Sequence, residues 1–198
     1  MSQPNPTLAA LIGSRICHDM ISPVGAIANG LELLTLTGVP DGPEMALVTE
    51  SAAHASARIR YFRVAFGLAS ATQSMSSGEI TGILNGVYTG NVRVDWQITD
   101  DLPRPVAQAA ILGLMCAEQA VPHGGTLTVA GTPDALVILA AGQRLTPNPA
   151  HWAVLNAPAG AANVPAAQVQ FALLPVLLNE LGRVVHVTQD DSAVTLTF

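Results

Sequence analysis

The chain contains no lysine, because all eight of its basic residues are arginine. This absence excludes a P-loop lysine and a Schiff-base lysine from any chemistry that the protein performs. The net charge of −6 argues against nucleic acid as the main partner. Aromatic residues make up only 4% of the sequence, which is too few for a surface on which bases would stack.

Cysteine is almost as scarce as lysine. Cys17 and Cys116 are too few for a disulfide framework, and their spacing is not that of a metal motif. We therefore expect two reduced, buried thiols. No two histidines have the spacing of a zinc site, so no metal site is expected.

Long apolar runs are missing too, although 49% of the residues are apolar and only 11% are charged. A membrane-spanning helix needs roughly 18 or more consecutive apolar residues, and no run reaches that length. The N-terminal sequence MSQPNPT lacks the basic and apolar regions of a signal peptide. We expect a cytoplasmic protein without a membrane partner.

Two long helical patterns open the chain. Residues from Thr7 to Leu36 and from about Glu44 to Thr72 have apolar residues at steps of three and four. The Gly- and Pro-rich turn between them predicts an antiparallel hairpin. In the first helix these apolar residues form one stripe along the helix, which contains Ile12, Ile16, Met20, Val24, Ile27, Leu31 and Leu34. Further apolar residues lie outside this stripe, namely Leu8, Leu11, Ile21, Leu33 and Leu36.

These extra apolar residues need a second covering surface. A homodimer, in which two hairpins form a four-helix bundle, is the simplest solution. Cover from a second domain is the alternative.

After residue 75 the pattern changes to mixed helices and strands. The chain is therefore divided into residues 1–74, the hairpin, and residues 75–198, an α/β sandwich with helices on one face of a mostly antiparallel sheet. We predict helices over Gly78–Tyr88, Pro105–Ala120, Pro149–Leu155 and Ala166–Leu181, a strand over Asn91–Ile98, and hairpins over Thr126–Ala141 and Arg183–Phe198. The fold class is α+β.

One polar cluster in the first helix has the residue types for phosphoryl transfer. A neutral imidazole is nucleophilic near neutral pH, and a neighbouring carboxylate such as Asp19 can hold one ring nitrogen of His18 protonated. Arg15 lies one turn earlier and is suited to balancing the charge of a phosphoryl group. Pro23 removes an amide donor and loosens the helix beside the cluster. A single histidine on a polar helix face is usually only a solvated residue.

The other histidines are weaker candidates. His54 lies on the polar face of the second helix and is expected to be solvated. His123, in a Pro-Gly turn, His151, beside Trp152, and His186, in a strand, are expected to be structural. A Gly-x-Ser-x-Gly elbow is absent, so a serine hydrolase has little support.

The order His-Asp-x-x-Ser-Pro, at residues 18–23, resembles the H-box of dimeric sensor histidine kinases. In those proteins the acidic neighbour assists phosphoryl transfer and an ATP-binding α/β sandwich follows the hairpin. The segments LMCAEQAVPHGG (114–125) and VILAAGQRL (137–145) resemble the asparagine box and first glycine box, with Gly142 retained. The departures are Cys116 for the magnesium-binding asparagine, Ala140 for the adenine-reading aspartate, Arg144 for the second glycine, and Ala167 and Val169 for glycines of the second box. The resemblance therefore implies a degenerate ATPase-like domain that does not bind ATP.

With an H-box retained beside a degenerate ATPase-like domain, the chain is similar to the ChpT-type histidine phosphotransferases of alphaproteobacteria. The stretch RICHDMISPVGAIANGLELL carries this resemblance. It implies a homodimer in which His18 is phosphorylated, with Arg15, Asp19 and Ser22 around it. The implied partners are the receiver domain of a hybrid histidine kinase and response regulators, which would supply the aspartate and the Mg²⁺.

We therefore predict a histidine phosphotransferase of a phosphorelay. Two alternatives remain open: a histidine kinase with a divergent ATP site, and a dimerisation or docking module that is never phosphorylated.

Overall fold

The computed structural model describes residues 6–37, 42–156 and 164–198, and within the first helix it omits the side chains of residues 6–12 and 14. The packing of Leu8, Leu11 and Ile12 therefore lies outside the described residues. So does most of the turn between the two helices. The chain divides into two compact units, residues 1–68 and 69–198.

The first unit is a hairpin of two helices, α1 (Pro6–Leu36) and α2 (Pro43–Phe66). Proline at the first position of α2 suits a helix start, because its missing N–H would have no partner there. The helix ends at Phe66 rather than at Thr72 as predicted. Gly67 leaves the helical conformation, with φ −80° and ψ 172°, while its N–H donates to the carbonyl of Arg63.

Small residues line the contact between α1 and α2. A methyl group built at Gly13 would lie 2.9 Å from the carbonyl oxygen of Phe66, so the two backbones approach closely at this point. Cys17 and Ala52 are buried on the same two helices. Several larger residues of the predicted apolar stripe of α1 are instead exposed, with exposed fractions of 58% at Ile16 and 54% at Ile27.

The second unit is built on a five-stranded sheet. The strands of this unit are β1 Ser74–Met75, β2 Val92–Trp96, β3 Leu102–Pro103, β4 Gly125–Thr132, β5 Ala135–Ala141, β6 His186–Gln189 and β7 Ala193–Thr197. The strands of the five-stranded sheet lie in the order β2-β4-β5-β7-β6, where β2 and β4 are parallel and the other neighbours are antiparallel. A small antiparallel pair, β1 and β3, lies apart from this sheet.

Helices cover one face of this sheet. The helices are α3 Ser77–Val87, α4 Arg104–Glu118, α5 Pro149–Leu155 and α6 Val169–Glu180, with a 3-10 turn at Ala166–Gln168. Alternate residues of the central strands, such as Leu127, Ile138 and Leu196, are fully buried, and α4 packs against β4, β5 and β7. Helix α6 packs against α4, and α5 packs against α6.

The predicted α+β class is confirmed, with a sheet that is mostly antiparallel. Ser76 begins α3 as its cap, because its hydroxyl accepts a hydrogen bond from the amide of Glu79 at 3.2 Å. Gly182 ends α6 with a φ of +70°. In the ranges that the structure describes, no helix combines the length and apolar character needed to cross a membrane.

Candidate functional site

Helix α1 brings three of the four predicted site residues into one hydrogen-bonded cluster. Arg15 and Asp19 are four residues apart, so helical geometry places them on the same face. His18 precedes Asp19 directly, and 81% of its side chain is exposed. The imidazole is therefore open to a partner molecule.

Asp19 is the centre of this cluster. Its Oδ2 accepts a hydrogen bond from Nε of Arg15 at 2.8 Å, and its Oδ1 lies 3.1 Å from Nδ1 of His18. The hydrogen bond with His18 lowers the pKa of Asp19 the most; partial desolvation opposes it, and the hydrogen bond and charge of Arg15 add to the lowering. Asp19 is consequently a carboxylate at neutral pH.

The ionised carboxylate determines which nitrogen of His18 carries the proton. A carboxylate can only accept hydrogen bonds, so Nδ1 of His18 must be the donor in this contact. In neutral imidazole the other nitrogen, Nε2, then has a free lone pair. In the neutral ring, the cluster thus leaves Nε2 open on an exposed helix face.

Ser22 and Pro23 lie one turn further along α1. Ser22 is exposed, and within the part of the chain described by the structure it has no hydrogen bond to Arg15, His18 or Asp19. Pro23 is inside the helix, which continues to Leu36. Because proline has no N–H, the carbonyl of Asp19 lacks its usual intrahelical donor.

Arg63 of α2 has an effect on α1 that the sequence did not reveal. Burial raises the pKa of the Cys17 thiol, and the positive charge of Arg63 partly offsets this rise. Cys17 directly precedes His18, so α2 places a cation close to this turn of α1. The position of Arg63 relative to α1 depends on the register of the two helices in the hairpin, and the apolar periodicity of the sequence does not specify that register.

The remaining histidines lie apart from this cluster in the sequence. His54 is partly exposed, and its Nε2 lies 4.0 Å from Oε1 of Glu50. His151 packs against the ring of Phe171 at 5.3 Å, as expected for a structural residue. His123 and His186 are exposed, so His186 does not fill the sheet.

Two of the positions that resemble an ATP site are closed off from solvent. Cys116 and Ala140 are completely buried, on α4 and β5. Burial raises the pKa of the Cys116 thiol well above its ordinary value, so this position holds a neutral thiol rather than a metal-binding group. Arg144 is exposed.

Gly142 has a packing reason for being glycine. A Cβ atom at this position would lie 2.8 Å from the carbonyl oxygen of Gly124 and 3.2 Å from Cγ1 of Val121.

Among the described residues, no three His, Cys, Asp or Glu side chains come together as a set of metal ligands.

Comparison with known proteins assigns the chain to a family. The family model of the histidine phosphotransferase C-terminal domain matches residues 77–193. Protein phosphotransferase ChpT of Brucella abortus is 35% identical over an alignment of 193 residues, which covers 93% of this chain and 92% of that protein. The chain belongs to the histidine phosphotransferase family. Its predicted resemblance to ChpT-type proteins and its predicted phosphotransferase activity are confirmed.

A solved structure supports the same family assignment. A bacterial phosphotransferase aligns over 100% of this chain and 98% of its own, with 26% identity and a TM-score of 0.66. The histidine kinase domain of a blue-light activated kinase from Erythrobacter litoralis aligns over 89% of this chain and 93% of its own, with 14% identity and a TM-score of 0.46. The phosphotransferase similarity thus covers both units of this family member.

Proposed function

We propose that this phosphotransferase is a cytoplasmic phosphorelay protein in which His18 carries the phosphoryl group between receiver domains. The observation that carries the proposal is the contact between Nδ1 of His18 and the carboxylate of Asp19. When the ring is neutral, this contact leaves the lone pair on Nε2 of an exposed side chain. Family membership supplies the activity, and the cluster supplies a residue that can perform it.

The proposed step is an in-line displacement at phosphorus. The lone pair of Nε2 of His18 forms the P–N bond while the P–O bond to the receiver's aspartate breaks, and the electron pair leaves with that carboxylate. The ring keeps its proton on Nδ1 and becomes positively charged, which the carboxylate of Asp19 stabilises. The reverse step passes the phosphoryl group to the aspartate of a second receiver.

The proposed partners are the receiver domain of a hybrid histidine kinase and one or more response regulators. They provide the aspartyl phosphate and the Mg²⁺, whereas this chain provides the histidine and its positioning groups. Transfer of this kind depends mostly on positioning and electrostatics. The high exposure of His18 supports docking of a partner on this part of α1. Neither nucleic acid nor a membrane is a proposed partner.

The proposal includes a homodimer built from two hairpins. Several large apolar side chains of this unit are exposed, and burying them in a four-helix bundle would remove that surface from water. Residues 1–74 would then be the dimerisation and phosphotransfer part. The exposed side chains are Ile16, Met20, Ile27, Leu34, Leu47 and Val48.

We further propose that the second unit is a degenerate ATPase-like domain that does not use ATP. Complete burial of Cys116 and Ala140 supports this proposal, since neither position offers a metal ligand or a carboxylate that would read adenine. The phosphoryl group then has to come from another protein.

The test is transfer of ³²P from a phosphorylated receiver domain to the purified full chain. Label should appear on the wild-type protein and be lost in His18→Ala, and phosphate should be mapped to His18 at alkaline pH because phosphohistidine is acid-labile. His54→Ala is a matched control, since it removes another partly exposed histidine from the same hairpin.

A second arm replaces the receiver with labelled ATP and Mg²⁺. Labelling from ATP alone would identify an active kinase and contradict the proposal. Unchanged receiver-dependent labelling in His18→Ala would place the site elsewhere. A wild-type chain that accepts no label from a set of phosphorylated receivers would favour a docking module.

A further inference from the structure

The side chains of two consecutive residues in a helix do not normally contact each other. Side chains at positions i and i+1 point about 100° apart around the helix axis, so they face different directions. The contact between His18 and Asp19 joins two such neighbours, at 3.1 Å. Both side chains are substantially exposed, at 81% and 44%, so the protein interior does not press them together.

Arg15 supplies the restraint that this contact lacks. It is one helical turn before Asp19, where the i,i+4 spacing does bring side chains together. Its Nε donates to Oδ2 of Asp19 at 2.8 Å, which leaves Oδ1 directed at the imidazole. Each oxygen of the carboxylate therefore has its own donor.

We propose that Arg15 is a positioning residue that acts through Asp19: it holds the carboxylate in the orientation that keeps the proton of His18 on Nδ1 and the lone pair on Nε2. This inference rests on the proposed function only for its effect on phosphoryl transfer. The effect on the protonated nitrogen is a property of the unphosphorylated protein.

This role differs from a direct contact between Arg15 and the phosphoryl group. Within the described residues, the hydrogen bond that Arg15 makes is to Asp19. This hydrogen bond uses Nε, the nitrogen nearest the aliphatic stem. A direct role would make the effect of Arg15 independent of Asp19, and this difference can be measured.

The first experiment is ¹⁵N NMR of the His18 ring in the unphosphorylated full chain, at a pH where the ring is neutral. The wild type should show Nδ1 as the protonated nitrogen. Arg15→Ala should lower the population of this tautomer, and Arg15→Lys should restore part of it, because lysine keeps an i,i+4 partner for Asp19. A tautomer population unchanged in Arg15→Ala would overturn the proposal.

The second experiment is a double-mutant cycle on the rate of transfer from a phosphorylated receiver. Arg15→Ala should slow transfer by about three- to tenfold in the wild-type background. In the Asp19→Ala background the same change should have less than about a twofold effect, because no carboxylate remains to be held. Equal slowing in both backgrounds would show that Arg15 acts directly on the phosphoryl group, which would overturn the proposal.

A matched control removes another exposed arginine. Arg144→Ala changes the net charge by the same amount in the second unit and should leave the tautomer and the rate unchanged. Circular dichroism of each variant checks that α1 remains folded. If the wild type accepts no label, the proposed function fails, while the NMR experiment still decides whether Arg15 directs the tautomer.

Discussion

At the scale of single residues, burial and charge give the two thiols different environments. Cys116, on α4, is completely buried, whereas Cys17, on α1, has 8% of its surface exposed to solvent. Burial raises the pKa of both thiols, and the charge of Arg63 partly offsets this effect at Cys17. Since the thiolate is the reactive form, both cysteines should be slow nucleophiles in the folded protein.

We expect iodoacetamide at mildly alkaline pH to leave Cys116 unmodified in the native protein. Cys17 should react slowly but faster than Cys116, and both should react readily once guanidinium has unfolded the chain. Mass spectrometry of peptides measures the two sites separately, with Cys17→Ser as the assignment control. Rapid modification of Cys116 in the folded chain would contradict its complete burial.

The same scale contains the chemistry of the site. The side chain of Asp19 is 44% exposed, and two hydrogen bonds within one turn of α1 give its carboxylate a direction. Its lowered pKa keeps it ionised down to a pH below the ordinary value of 3.8. The restraint on His18 is therefore present throughout the neutral range and is lost only in acid, as the pH falls through the pKa of Asp19.

At the scale of elements, close backbone contacts determine where glycine is required. Gly142 follows β5, and a side chain there would meet the carbonyl of Gly124, which precedes β4. The resemblance to a glycine box would make Gly142 a nucleotide-binding position. The close approach to Gly124 explains why residue 142 is glycine without any role in nucleotide binding.

Gly142→Ala should therefore destabilise the protein by roughly 1–3 kcal/mol, because a Cβ atom 2.8 Å from a carbonyl oxygen forces the backbone to move. Gly82→Ala is the matched control. Among the residues that the structure describes, a methyl group added at Gly82, on α3, would meet no neighbouring group within 4 Å, so this change should stabilise the helix by up to about 1 kcal/mol. Thermal or urea unfolding measures both variants, and equal stability of the two would refute the packing argument.

At the scale of the whole molecule, the hairpin exposes many large apolar side chains along α1. Ile16, Met20 and Ile27 are each about half exposed, at 58%, 46% and 54%. Their spacing of four and seven residues places them on one side of the helix, and exposed apolar side chains grouped in this way are typical of an interaction site. The proposed dimer would use this surface and leave the polar face with His18 open to partners.

Ile27→Glu should weaken self-association by at least about tenfold, because pairing the hairpins would bury an unpaired charge. The matched control is Val184→Glu, which places the same charge on an exposed apolar residue of the second unit. Sedimentation equilibrium measures both. A wild-type chain that sediments as a monomer at micromolar concentration would rule out the proposed dimer.

Much of the fold followed from patterns within short segments. The two strand hairpins and the helices α1 and α3 to α6 were predicted close to their observed bounds, because a period of two or about 3.6 is a local property. The end of α2 was predicted too late, since the apolar pattern continues past Gly67. A glycine in extended conformation ended the helix despite that pattern.

The candidate site was predictable for the same reason. Arg15, His18 and Asp19 lie within a little over one helical turn, so sequence spacing alone brought them together. Ser22, also predicted, makes no hydrogen bond to them within the described residues. The charge of Arg63 near Cys17 could not be predicted, because it depends on which residues of α2 face α1.

The sequence by itself determined the local features: the helical periods, the strand hairpins, and an arginine, a histidine and an aspartate on one side of α1. Only the tertiary structure decided which apolar residues are buried, how the strands are ordered, and that Cys116 and Ala140 lie in a closed interior. The reason is physical. Hydrogen bonds within one turn depend on spacing along the chain, whereas burial and strand order depend on contacts between segments that are far apart in sequence.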